Sequence, residues 1–68
     1  MRIFVLPRNG DSFDRTVRRA VEILHSANIL SAKPGGTIND RAVVLVDPED
    51  ILEAMATLRR EGMLAIAN

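Results

Sequence analysis

Arg2-Ile3-Phe4-Val5-Leu6-Pro7-Arg8-Asn9-Gly10-Asp11 and, later, Ala42-Val43-Val44-Leu45-Val46-Asp47-Pro48 carry one pattern twice. Each is an apolar run, rich in β-branched residues, that stops at turn-forming residues and leads into an amphipathic segment, which is the signature of a strand followed by a helix. After the first run, Phe13, Val17, Ala20, Val21, Leu24 and Ala27 recur at three and four, so a helix over 12–27 has a single apolar stripe. Asp11 or Ser12 can cap it, Asp14 suits its first turn, and Arg18 and Glu22 are spaced as an i,i+4 pair.

The second unit is marked at both ends. Asp47 is placed as N-cap, Pro48 as the first helical residue, and Glu49 and Asp50 complement the dipole. Ile51, Met55 and Leu58 form the stripe of a helix over 48–61, with Leu52 and Ala54 flanking it. Arg59 and Arg60 lie at its C-terminal end and Gly62 stops it.

Working outward, Ile29–Lys33 reads as a second strand. Pro34-Gly35-Gly36 then breaks regular structure and begins a hairpin loop running to Arg41, and a last strand covers 63–67. The order is βαββαβ over residues 1–68, a single domain. Right-handed crossovers place the first and third strands (2–6 and 42–46) at the centre of a four-stranded antiparallel sheet, with both helices on one face: an α+β, ferredoxin-like sandwich.

Composition narrows the classes. A chain of 68 residues buries only about 60% of the surface its unfolded form exposes. Without cysteine it has no disulfides, and with one histidine it has no Cys/His set for zinc. Nine basic and nine acidic residues cancel, so no global field draws the chain to nucleic acid or an anionic membrane. No apolar run approaches the ~20 residues of a membrane span. The first residues lack the length and cleavage site of a signal peptide, so a cytoplasmic protein is expected. No cofactor is called for.

A sheet covered on one face should alternate apolar and polar residues. Ile3–Leu6 and Ala42–Val46 do not alternate, so both faces of the central strands are apolar. The expectation is a homodimer or higher homo-oligomer that covers the open face, with either Val43 or Val44 pointing outward.

The Arg8-Asn9-Gly10-Asp11 turn, the Ala27-Asn28-Ile29 helix exit and the Leu58-Arg59-Arg60-Glu61-Gly62 close, in this order, resemble the ACT domain, the small ligand-binding module attached to enzymes of amino acid metabolism. Asn9-Gly10 stands where that family has Asp-x-Pro-Gly. The resemblance implies a non-enzymatic regulatory module with a small-molecule effector, an amino acid or similar metabolite, at a subunit interface. Arg8, Asn9, Gly10 and Asp11 would bind it, with Asn28 and Ile29 approaching from a neighbouring subunit. A larger enzyme could be the partner, with no small ligand at all. A second relative, on Gly35-Gly36-Thr37 followed by an apolar strand and an acidic helix start, is similar to PII-like nucleotide sensors.

Other groups have simpler explanations. Asp47, Glu49, Asp50 and Glu53 are clustered, but capping and dipole matching account for them better than a cation site. His25 has no second ligand or carboxylate at a motif spacing and reads as a boundary residue. Ser12, Ser26 and Ser31 have no nucleophile context, so no catalytic residue is assigned. Arg15, Arg18 and Arg19 form a small basic patch, read as a solvated helix face. RNA-binding sheets stack bases on aromatics, and only Phe4 and Phe13 exist here, so nucleic acid is not the expected partner. The Gly10 turn can present free amides to an anion at a helix start, while Lys33–Thr37 matches no phosphate-loop spacing.

Overall fold

A computed structural model describes residues 1–8 and 10–67. The elements are β1 (Arg2–Val5), α1 (Phe13–Ser26), β2 (Lys33–Ile38), β3 (Arg41–Leu45), a 3-10 turn (Pro48–Asp50) running into α2 (Ile51–Arg60), and β4 (Ala65–Ala67). The strands make one antiparallel sheet in the order β2-β3-β1-β4. β1 and β3 are neighbours at its centre, and the two helices cover one face. This is the ferredoxin-like α+β sandwich that the repeated strand–helix pattern implies.

The core lies between sheet and helices. Ile3 and Val5 of β1, Ala42 and Val44 of β3 and Ala65 of β4 point into it. From the helices come Val17, Ala20, Val21 and Leu24, and Ala54, Met55 and Leu58. Ile3 pairs with Val44 and Val5 with Ala42, so these four share a face by register. Val44 is therefore the inward residue and Val43, outside the core cluster, the outward one.

Both helices end in the same way. Asn28 (φ 69°) and Gly62 (φ 82°) occupy the left-handed region. Asn28 donates to the His25 carbonyl and Ile29 to that of Leu24; Gly62 donates to Arg59 and Met63 to Leu58. Each is a Schellman cap, and the residue after the left-handed one is apolar and buried, Ile29 and Met63. The internal repeat thus extends to the helix stops.

Several local expectations are corrected. Residues 29–32 are not a strand: Ile29 and Ala32 plug the core from a connecting segment, and β2 begins at Lys33. Pro34-Gly35-Gly36 is not the hairpin loop but the body of β2. The reversal is made by Asn39 and Asp40, with φ 50° and 59°. Two consecutive positive-φ residues give the turn whose twist matches paired strands, and Asn and Asp tolerate that region best after glycine. The register shifts between Pro34 and Thr37, where Gly36 has φ 78°. Proline is accommodated because β2 is an edge strand.

Ser12, rather than Asp11, caps α1, its hydroxyl accepting from the Arg15 N–H at 3.1 Å. Asp47 makes no side-chain cap. Instead its N–H donates to the Ser31 hydroxyl (3.1 Å), which donates to the Asp50 carboxylate (2.6 Å). Arg18 and Glu22 form no ion pair; the pair formed among the described residues is Arg15–Asp11, at 3.9 Å. Leu52 flanks no core: it faces solvent.

Candidate functional site

Strand alternation assigns the sheet's other face. Arg2 pairs with Leu45 and Phe4 with Val43. Ile66 pairs with Phe4, Lys33 with Leu45, and Ile38 with Arg41. Leu6 and Leu64 continue the alternation just beyond β1 and β4, joined by the Leu6 N–H to the Leu64 carbonyl at 3.0 Å. A row of Val43, Phe4 and Ile66 therefore crosses the middle of the open face, and Leu6 and Leu64 extend it at the β1–β4 corner.

Phe4 is half-buried and Val43 fully buried, because Gly35 of β2 lies against it: a Cβ on Gly35 would stand 2.7 Å from Val43 Cγ1. Leu6, Leu64 and Ile66 are 46%, 67% and 56% exposed. Among the described residues both helices pack on the opposite side, which leaves these three in contact with water. Adjacent exposed aliphatics of this kind mark an interaction surface more often than singly scattered ones do.

The charge of this face is one-sided. The four strands, Arg2–Val5, Lys33–Ile38, Arg41–Leu45 and Ala65–Ala67, contain no Asp or Glu, and their cations Arg2, Lys33 and Arg41 all fall on the open face by register. The Arg41 guanidinium lies 5.4 Å from the Phe4 ring centroid, a cation–π contact in the middle of the sheet.

The residues expected to bind a ligand are not brought together within one chain. Arg8, Gly10 and Asp11 lie on the exposed turn before α1, where the Asp11 N–H donates to the Arg8 carbonyl (3.0 Å). Arg8 also donates through Nη2 to the Glu61 carbonyl at 3.2 Å, tying this turn to the end of α2. Asn9 lies outside the described residues. Asn28 and Ile29 stand at the far end of α1, a separation of about 21 Å for its 14 residues. Ile29 is 3% exposed and packs in its own chain's core. The Asp11 carboxylate and the Ser12 hydroxyl already occupy the start of α1, and an anion there would meet a like charge.

His25 Nε2 bonds the Ala32 carbonyl at 2.7 Å, pinning the segment after α1. Among the described residues no three His, Asp or Glu side chains gather to hold a metal ion, and no helix is long and apolar enough to cross a membrane. Lys33–Thr37 is edge strand, so it forms no anion loop. The surface that sequence reasoning left incomplete is the cationic rim of the open face. The absence of acids from every strand was its signal, but Arg41 joins the face only because β3 begins there, and register is needed to put all three cations on one side. Comparison with protein-family models, curated proteins and solved structures finds no match to this chain.

Proposed function

We propose that this chain is a non-enzymatic regulatory interaction module that works as an assembly of its own copies, joined through the open face of the sheet. One observation carries the reading: Leu6, Leu64 and Ile66 are exposed side by side on a face that neither helix covers. Burying apolar surface gains about 25 cal/mol per Å², and this patch is where a domain with so small a core has such surface left to bury. The test is Ile66→Lys against Glu22→Lys on the outer side of α1. Ile66→Lys should reduce the assembly to single chains with helix content intact, and Glu22→Lys should leave it whole. An assembly that survives Ile66→Lys overturns the reading.

A second reading keeps a small metabolite as effector. Its support is that Arg8 and Asp11 carry, on the turn before α1, the opposite charges that an amino acid's carboxylate and ammonium would pair with, once Arg8 leaves the Glu61 carbonyl and Asp11 leaves Arg15. In that reading the chain is an ACT-like sensor; in the PII-like variant the effector is an adenine nucleotide. Thermal shift against the amino acids and the adenine nucleotides separates the two, and a melting temperature unmoved by either set rejects both.

A further inference from the structure

Besides Met1 and Leu30, which lie outside the strands and helices, the exposed large apolar residues occupy opposite layers of the sandwich. Leu6, Leu64 and Ile66 lie on the sheet, among Arg2, Lys33 and Arg41. On the helix layer, Leu52 of α2 is 82% exposed. Leu52 stands in the first turn of α2, beside Glu53 and one turn after Glu49, with exposed Ala56 next along the same stripe. The helix layer thus presents Leu52 and Ala56 beside Glu49 and Glu53, and the sheet presents three aliphatics among three cations.

Charge decides which surfaces meet. Two open sheets packed face to face would bring together three cations from each copy and no strand carboxylate, whichever way the sheets were turned. Cations desolvated without counter-charges cost free energy, and like charges across an interface select against it. The acidic, leucine-bearing start of α2 offers the missing complement. It lies on the opposite side of the same molecule, so one chain cannot satisfy its own sheet.

We infer that copies associate head to tail, the Leu52–Ala56 stripe at the start of α2 of one copy, flanked by Glu49 and Glu53, docking on the open sheet of the next. The inference rests on the self-assembly proposed above and specifies its geometry. A heterologous contact of this kind closes into a ring if its rotation allows and otherwise propagates. Added salt screens the carboxylate–cation pairs and should loosen it, whereas salt would strengthen a contact between two cationic sheets.

Two variants test it: Ile66→Glu spoils the sheet side and Leu52→Arg spoils the helix side. Each alone should give single chains of 7.5 kDa. Mixed in equal amounts they should form a one-to-one pair of twice that mass. The intact sheet of the Leu52→Arg chain receives the intact helix patch of the Ile66→Glu chain, and no further copy can add. Should either variant lose its helical circular dichroism, Leu64→Glu and Glu53→Arg replace them on the same two surfaces. If Leu52→Arg leaves the assembly whole while Ile66→Glu splits it, the helix patch is not the occupant and only this inference fails. Two single-chain variants that do not combine also overturn it. A wild-type chain that is itself a monomer overturns both this inference and the reading beneath it.

Discussion

Gly35 and Val43 touch across the β2–β3 pair so closely that a single added carbon would not fit: a Cβ on Gly35 would lie 2.7 Å from Val43 Cγ1 and 3.1 Å from the Val43 carbonyl oxygen. Gly35 sits at the register shift of β2 and lies close against the Val43 side chain, and Val43 is buried although it stands outside the core under the helices. Gly35→Ala should therefore destabilise the chain by about 1–3 kcal/mol, because a rigid β-branched neighbour and backbone must both move. Gly10→Ala, where nothing lies within 4 Å and φ is +86°, should cost only about 1 kcal/mol of backbone strain. Denaturant midpoints compare the two, and equal losses would contradict the close approach.

The paired helix stops make a second prediction. Asn28 and Gly62 hold the same left-handed conformation, but only glycine does so without strain. Asn28→Gly should stabilise the chain by up to about 1 kcal/mol, and Gly62→Ala should cost about 1–2 kcal/mol. At Gly62 the new methyl would also meet the Arg8 guanidinium at 3.2 Å, which an exposed side chain can yield. Thermal unfolding of both variants checks the signs.

Ser31 links the segment after α1 to the start of α2 through its bonds with Asp47 and Asp50. Ser31→Ala should lower stability by about 1 kcal/mol and speed amide exchange at the 3-10 turn ahead of exchange in α1. Uniform exchange across both helices would show that the hydroxyl holds nothing local.

Val43 and Val44 are adjacent and equally hidden from water, yet they face opposite sides of the sheet. Val44→Lys puts an ammonium against Ile3 in the core and should unfold the chain, at a cost of about 4 kcal/mol. Val43→Lys can direct its amine to the open face and should retain helical circular dichroism. Loss of structure in both would contradict the register.

How far the fold was legible depended on how local each signal was. The apolar runs around Phe4 and Val44, the stripe from Phe13 to Leu24, and the Gly62 stop are set by neighbours within one or two turns, and each appears where its pattern places it. β2 is the exception, because Pro34-Gly35-Gly36 argues locally against a strand. What allows one there is non-local: an edge position for the proline, and Val43 to fit against Gly35. Asn39-Asp40 is a weaker hairpin signal than Asn-Gly, so locally it does not stand out from the loop residues around it.

The site was less legible than the fold. Asn28 and Ile29 matched a ligand-binding exit by sequence, but the same two residues make a helix cap and a core plug. The open apolar face followed from Ile3–Leu6 and Ala42–Val46. Its cations and its exposed β4 corner became visible only once register put Arg2, Lys33, Arg41 and Ile66 on one side.

The mass of the unmodified chain in solution, by light scattering at micromolar concentration, tests the self-assembly most directly. The expected result is a multiple of 7.5 kDa that falls as the protein is diluted or salt is added. A single species of 7.5 kDa across that range would contradict it.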